Sequence, residues 1–300
     1  MKKIIPYSAV TYTLDYSKNI LELHEMIIED EKYILGLDIK QEDEKDCLIN
    51  KYIHFRNKHL YYDLILRHEF GKSLLGNWSS KIYEDLYDKG WVMYRQDYSL
   101  TPTVHNDIEH AYIDFFHIHF DTYFPTHISL DSKIANNNYQ QCRIAYFNQA
   151  YYICAQGLFP VIEYLHKVVG KFDGSSIFKI KENFDKTKDQ VESITQPFKT
   201  NIDFYVKLID NVNFLIKCHI FSKSIENDDE PIIINRNRLS HGIFTREISK
   251  KDCLQLFSIV MVLKGLNDII EADNRRKLIV KELKHIELSL QKFQKEKKGD

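Results

Sequence analysis

The stretch of the chain that most directly decides its fold is residues 139–172, which read YQQCRIAYFNQAYYICAQGLFPVIEYLHKVVGKF. Apolar residues recur every three or four positions, which is typical of amphipathic helices with one buried face. The positions predicted to share that face are Ile144, Phe147, Tyr151, Cys154, Leu158, Ile162, Leu165 and Val169. Because proline removes a backbone donor, we expect Gly157 and Pro160 to split this pattern into two helices or to kink it.

Helical patterns on both sides of this stretch predict a mainly α fold. They cover residues 19–33, 48–75, 178–194, 202–222 and 253–267. Ser249, with Asp252 three positions further on, is predicted to cap the last of these helices. Alternation of apolar and polar residues indicates a short β-strand at Tyr7–Leu14. Near the end, Ile279, Leu283, Ile286, Leu290 and Phe293 follow a 4-3-4-3 spacing. This spacing predicts a charged amphipathic helix with one narrow apolar seam that packs against the chain's own body.

A polar, asparagine-rich segment, Asp131–Asn138, is the best candidate for a domain boundary. It predicts an N-terminal, mostly helical domain at residues 1–130, with a sensing, regulatory or substrate-shaping role. A helical bundle follows at residues 139–270, and the C-terminal amphipathic helix occupies residues 271–300.

Composition excludes several classes of protein. The chain has 300 residues, of which 44% are hydrophobic, and a net charge of −2, so it is not a basic nucleic-acid coat. Its five cysteines form no CxxC pair, and no apolar run approaches the ~20 residues of a membrane helix. We therefore expect a cytoplasmic protein with reduced thiols and no membrane partner. No glycine-rich phosphate loop, nucleophile elbow or dinucleotide fingerprint is present, and we predict no cofactor.

The most specific chemical signal is a polar island at residues 235–242, which reads NRNRLSHG and follows the apolar run Ile232–Ile234. Arg236 and His241 lie five positions apart within it. Histidine moves protons near neutral pH, and arginine holds the charge on a phosphate. Together, the two residue types are sufficient to cleave RNA without a metal.

If the island begins a helix, Asn237, Arg238 and His241 share one face. Arg236 then lies about 140° around the helix from His241 and has to reach over from the first turn. We predict that His241 takes the proton of an attacking 2′-hydroxyl while Arg236 stabilises the phosphorane-like oxyanion. Asn237 and Ser240 are candidates for orienting the imidazole or contacting phosphate, and Arg238 is a further RNA-binding candidate. A purely structural alternative fits the same residues: Arg236 forms a surface ion pair, and His241 is a helix-capping or core histidine.

Residues 236–241 also resemble the Arg-(polar)-x-x-x-His signature of the HEPN superfamily (higher eukaryotes and prokaryotes nucleotide-binding). Gly242 and residues 251–257, KDCLQLF, are similar to the segment after the motif in prokaryotic defence members, and residues 139–165 are similar to their first two helices. The resemblance covers residues 139–266. One departure concerns an acidic residue that such proteins often carry late in the second helix: this chain has Val168-Val169-Gly170 there, and Glu163 lies about one and a half turns earlier.

This resemblance implies an up-and-down helical bundle that forms a homodimer and joins two Arg–His sets at one RNA-binding cleft. The implied activity is metal-independent endoribonuclease action, with Arg236 and His241 as the catalytic pair, by a toxin or abortive-infection effector in phage defence. An antitoxin or a phage trigger is implied as a further partner.

Two other functions remain open at this stage. One is a non-catalytic helical module that binds RNA, a nucleotide or a protein partner. The other is a metal-dependent hydrolase, because the segment His117-Ile118-His119-Phe120-Asp121 resembles the H-x-H-x-D core of metallo-β-lactamases. If that segment is helical instead, His110, Asp114 and His117 share a face and could ligate a metal.

Overall fold

In a computed structural model of the chain, the described residues are 44–74, 86–92, 108–126, 128, 130–170, 202–222, 232–244 and 246–296. The helices, in chain order, are α1 (Glu44–Leu74), α2 (Ile108–Ile118), α3 (Phe120–Tyr123), α4 (Lys133–Phe147), α5 (Tyr151–Gly170), α6 (Ile202–Phe214), a π-helix (Leu215–Ile220), α7 (Arg236–Ser240) and α8 (Lys250–Glu296).

The predicted mainly α fold is confirmed, since the described residues contain helices and no strand. The β-strand predicted at Tyr7–Leu14 and the helices predicted at residues 19–33 and 178–194 lie outside these residues.

Two compact units make up the chain. One combines Met1–Gly71 with Ile269–Asp300, and the other is Lys72–Asp268. Residues 72–130 therefore share a unit with the predicted bundle. The division into domains at residues 131–138 stays a prediction. In the structure, that polar segment starts a helix, because the Ser132 hydroxyl caps α4 by accepting a hydrogen bond from the amide of Ala135 at 3.2 Å.

Within the unit 72–268, α4 and α5 form a helical hairpin. Its connection at residues 148–150 is tight: the amide of Ala150 donates to the carbonyl of Ala145 at 2.8 Å, and Gln149 adopts a positive φ of 57°. A non-glycine residue in this left-handed region occurs mostly in tight turns. The turn therefore reverses the chain between two helices that the sequence pattern presented as one continuous stripe.

The expected split at Gly157 and Pro160 is wrong, because α5 runs through both residues as one helix. The alternative, a kink at these residues, stays a prediction. The predicted face is correct for α5, where Cys154, Leu158 and Ile162 are buried together with Leu165 and Val169. For α4 it is wrong: Ile144 and Phe147 are each 53% exposed, while Tyr139, Cys142, Ala145 and Tyr146 are buried. The turn at Gln149 shifts the helical phase, so one periodic stripe cannot describe both helices.

An aromatic cluster fills the core of the same unit. Phe257 of α8 meets four rings, with centroid separations of 5.1 Å to Phe120, 5.4 Å to Phe124, 5.8 Å to Tyr139 and 6.0 Å to Tyr146. The rings of Phe120 and Tyr146 stack at 4.4 Å. Such contacts add to the free energy gained by apolar burial, so Phe257 holds α3 and α4 against α8.

The C-terminal helix α8 is a single element of 47 residues, rather than separate helices at 253–267 and 271–300. It begins where the sequence predicts, directly after Ser249, whose amide and hydroxyl both donate to Asp252 at 2.8 Å. By length and composition α8 could cross a membrane, but 83% of its most apolar 18-residue window is buried inside the protein.

In the other unit, α1 packs along the second half of α8. Arg276 lies 3.5 Å from Asp63 and 3.0 Å from Asp273, and the hydroxyl of Tyr52 donates to Glu287 at 3.2 Å. In the predicted apolar seam, Ile279 and Ile286 are buried, whereas Leu283 and Leu290 are half-buried.

Gly157 lets α5 approach α4 closely, and this contact is testable. A Cβ at position 157 would lie 2.5 Å from Sγ of the buried Cys142. We expect Gly157→Ala to lower the free energy of unfolding by about 1–3 kcal/mol through overpacking, although alanine favours a helix. Urea unfolding of Gly157→Ala, Cys142→Ala and the double variant measures this effect. In the Cys142→Ala background the cost should vanish, and an equal cost in both backgrounds would contradict the close approach.

His166 predicts a specific acid sensitivity. It is 1% exposed, and burial together with the charge of Lys217 lowers its pKa from 6.5 to about 3. Between pH 6.5 and pH 3, His166 is protonated in the unfolded chain but not in the folded one. The free energy of unfolding is therefore highest above pH 6.5 and decreases as the pH falls towards 3. The slope due to His166 is about 1.4 kcal/mol per pH unit. Urea unfolding at pH 7.5, 6.0 and 5.0 measures the free energy of unfolding as a function of pH. It should decrease less steeply with falling pH in His166→Leu than in the unaltered protein, and an equal decrease in both proteins would contradict the role of His166.

Candidate functional site around Arg236 and His241

The polar island folds as the five-residue helix α7, and a buried asparagine sets where it begins. Asn235 accepts a hydrogen bond from the amide of Arg238 at 3.0 Å. Its amide nitrogen donates to the carbonyl of His219 at 2.5 Å and to the hydroxyl of Ser222 at 3.0 Å. One side chain therefore caps α7 and ties it to the end of the π-helix.

Gly242 ends the helix. The amide of Gly242 donates to the carbonyl of Leu239 at 3.2 Å, and that of Ile243 donates to the carbonyl of Arg238 at 2.9 Å. Together with the positive φ of Gly242, 67°, this pattern is a Schellman motif. His241 is the C-cap residue and is exposed. The helix therefore presents the imidazole to solvent at its C-terminal end.

Arg236 opens the helix and is held from two sides. Its guanidinium lies 3.7 Å from a carboxylate oxygen of Glu163 in α5 and 5.6 Å from the centre of the Phe221 ring, and its side chain is 42% exposed. Glu163 also binds Lys167 at 2.9 Å. Two cations share one carboxylate, so the group carries a net positive charge at the surface.

The other predicted site residues have different surroundings. The amide nitrogen of Asn237 donates to the carbonyl of Ser222 at 3.0 Å, so it anchors α7. Its predicted contact with His241 or with phosphate stays a prediction. Ser240 is exposed, and Arg238 is half-buried. His241 is the C-cap residue of α7, and its amide still donates to the carbonyl of Asn237 at 3.0 Å, as in an α-helix. The face predicted to be shared by Asn237, Arg238 and His241 stays a prediction.

Both features of the purely structural alternative are also present: Arg236 forms an ion pair, and His241 is the C-cap residue of a helix. Glu163 and Phe221 were not predicted as neighbours of Arg236. Glu163 belongs to α5 and Phe221 follows the π-helix, and no local spacing relates either residue to residue 236.

Just after the helix, an arginine–aspartate pair fixes the loop that leads into α8. Arg246 binds the fully buried Asp252 through two hydrogen bonds of 2.7 and 2.6 Å. Such bidentate pairs are strong and geometrically specific. The sequence indicates only part of this arrangement. Ser249 and Asp252 have the spacing of a helix cap, whereas no motif marks Arg246 as the partner of Asp252.

Beside His241 lies a pocket of about 510 Å³. It is formed by the first residues of α5 and by the chain on either side of the Schellman turn. The lining residues are Gln149, Ala150, Tyr151, Tyr152, Ile153, Leu239, Gly242, Phe244, Arg246, Glu247 and Ile248.

The structure offers no support for the alternative metal centre. Among the described residues, no group of three or more His, Cys, Asp or Glu side chains could hold a metal ion. A ring nitrogen of His117 lies 2.9 Å from the hydroxyl of Tyr146, and the His119 ring packs 4.7 Å from that of Phe115.

Comparisons of the chain with protein-family models, with curated proteins and with solved structures found no match. The resemblance to the HEPN superfamily therefore rests on the residues quoted above.

The Schellman turn that presents His241 depends on glycine. Nothing lies within 4 Å of a Cβ placed at Gly242, so only the positive φ opposes a larger residue there. We expect Gly242→Ala to lower the free energy of unfolding by about 1 kcal/mol, because alanine rarely adopts this conformation. Gly242→Asn should cost less, since asparagine tolerates it. Equal stability of all three proteins in urea would contradict the left-handed turn.

Proposed function

We propose that the chain is a metal-independent endoribonuclease that cleaves RNA by attack of a 2′-hydroxyl on the adjacent phosphorus. The observation that carries this proposal is the arrangement on α7. A half-exposed guanidinium, held by Glu163 and Phe221, opens the helix, and an exposed imidazole follows its last residue. The two functional groups required by this chemistry are thus presented by one short, doubly capped element.

Each group has a defined task in this mechanism. His241 accepts the proton of the 2′-hydroxyl as it attacks phosphorus, and Arg236 stabilises the negative charge that develops on the phosphoryl oxygens. The bond from phosphorus to the 5′-oxygen then breaks, which leaves a 2′,3′-cyclic phosphate, and the departing 5′-oxygen takes a proton from water. Glu163 is a positioning residue that holds the guanidinium. With Lys167 beside it, the cluster remains net positive and attracts a phosphate. DNA lacks the attacking hydroxyl and is excluded as a substrate.

The biological setting is proposed from the resemblance alone. It comprises a cytoplasmic toxin or abortive-infection effector in phage defence, active as a homodimer in which two Arg–His sets face one cleft. An antitoxin or a phage-derived trigger would control it.

A second candidate function is a non-catalytic module that binds RNA, a nucleotide or a protein partner. The ion pair of Arg236 with Glu163 and the capping position of His241 favour it, because both are sufficient for a purely structural role.

The nuclease proposal predicts EDTA-resistant cleavage of labelled single-stranded RNA, with products ending in 2′,3′-cyclic phosphate. His241→Ala should lower the cleavage rate about 10²–10⁴-fold, the usual contribution of a general acid–base group. Arg236→Ala should lower it about 10²–10³-fold through loss of charge stabilisation. Gel electrophoresis of end-labelled products measures both the rate and the end chemistry.

Matched controls are Arg275→Ala and His285→Ala, which remove an exposed arginine and an exposed histidine of α8. Both should retain full activity. EDTA-sensitive cleavage, or cleavage that survives His241→Ala, would refute the mechanism. Binding of RNA without cleavage by the unaltered protein would favour the non-catalytic module.

A further inference from the structure

The pocket beside His241 is built into the same element as the proposed catalytic pair. Leu239 and Gly242 line it, and these residues flank Ser240 and His241 in the chain. Any group that fills the pocket therefore contacts both sides of the turn that presents the imidazole.

Aromatic side chains form two of its walls. Tyr152 is 53% exposed, and its hydroxyl lies 3.4 Å from the carbonyl of Leu239, to which it donates, so its ring is tied to the end of α7. Phe244 also lines the pocket, and the centre of its ring lies 5.2 Å from the guanidinium carbon of Arg246. Exposed tyrosine, phenylalanine and arginine planes are the surfaces on which proteins stack unpaired bases.

Charge distinguishes this pocket from the cluster at Arg236. Among the described residues that line the pocket, Arg246 is the only cation, and the buried carboxylate of Asp252 neutralises it through a bidentate pair. Glu247 adds a negative charge at the exposed margin. A phosphate is disfavoured there, whereas a neutral, planar group is not. Gln149, exposed in the α4–α5 turn, adds an amide that can pair with the polar edge of such a group.

We propose that this pocket binds one unstacked nucleobase of a single-stranded RNA, next to the phosphate that Arg236 and His241 engage. The inference rests on the proposed ribonuclease function for the identity of the polymer, and it adds a base-binding subsite to that function. Tyr152 supplies the stacking surface, and Arg236 supplies the phosphate contact at the opposite end of α7.

The test separates base recognition from backbone recognition. Two fluorescein-labelled decamers, a single-stranded RNA and the same chain lacking its bases, are titrated in EDTA against full-length His241→Ala, in which cleavage should be about 10²–10⁴-fold slower. Fluorescence anisotropy gives the Kd. We expect Tyr152→Ala to weaken binding of the RNA about 5- to 150-fold, the range of one lost base stack, and to leave binding of the abasic chain unchanged. Tyr152→Phe, which keeps the ring, should stay within about twofold of the parent.

Two variants calibrate this result. Ile144→Ala removes an apolar side chain with the same exposed fraction as Tyr152 but outside the pocket lining, and should change neither affinity. Arg236→Ala should weaken both decamers, because a phosphate contact does not depend on bases. Tyr152→Leu, which keeps apolar bulk without a ring, replaces Tyr152→Ala if circular dichroism shows that the alanine variant is unfolded.

The proposal is overturned if Tyr152→Ala leaves binding of the RNA unchanged, if it weakens both decamers equally, or if neither decamer binds. Its failure is distinct from failure of the nuclease. If the protein cleaves RNA but its binding does not depend on bases, the base-binding proposal is refuted and the nuclease proposal stands. If binding depends on bases but no RNA is cleaved, the nuclease proposal is refuted and the base-binding proposal stands.

Discussion

The packing of Phe257 against four rings is the interaction on which the rest of the 72–268 unit depends. Phe257 stands on α8, whereas its partners belong to α3, to α4 and to Phe124 just beyond α3. Burying so many large rings in one place excludes water and fixes α4, and Gly157 then allows α5 to pack closely against α4. Because Glu163 and Tyr152 both lie on α5, the aromatic core indirectly positions the acidic partner of Arg236 and the wall of the neighbouring pocket.

The candidate site is held by polar contacts of a different kind. Asn235 is buried and satisfies groups on both α7 and the end of the π-helix, while Gly242 closes α7 and Arg246 fastens the following loop to Asp252. A five-residue helix has too few internal hydrogen bonds to be stable alone. Its caps and its anchoring to neighbouring elements therefore keep it in place, so a short exposed segment can present two functional side chains in a defined geometry.

Two arginines of similar exposure have opposite electrostatic roles. Arg246 is compensated by one fully buried carboxylate, while Arg236 shares the partly exposed Glu163 with Lys167. A buried carboxylate has little solvent to screen it and neutralises its partner, whereas the shared one leaves a net positive charge. This difference separates a surface suited to phosphate from a pocket suited to a neutral ring, although an arginine lies at each of them.

Local sequence signals determined the helical class, the buried face of α5, the Ser249 cap and the Arg–His spacing, because each depends on residues within a few positions of one another. They did not locate the turn at Gln149, since one left-handed residue reverses the chain without interrupting the apolar repeat. The contacts of Arg236 with Glu163 and Phe221, and the inward bond of Asn237, were equally out of reach. They join residues far apart in the chain, and packing of α5 and the π-helix against α7 decides which of them meet. Periodicity and spacing are properties of one element, whereas a site with a net charge and a neighbouring pocket requires several elements to be packed together.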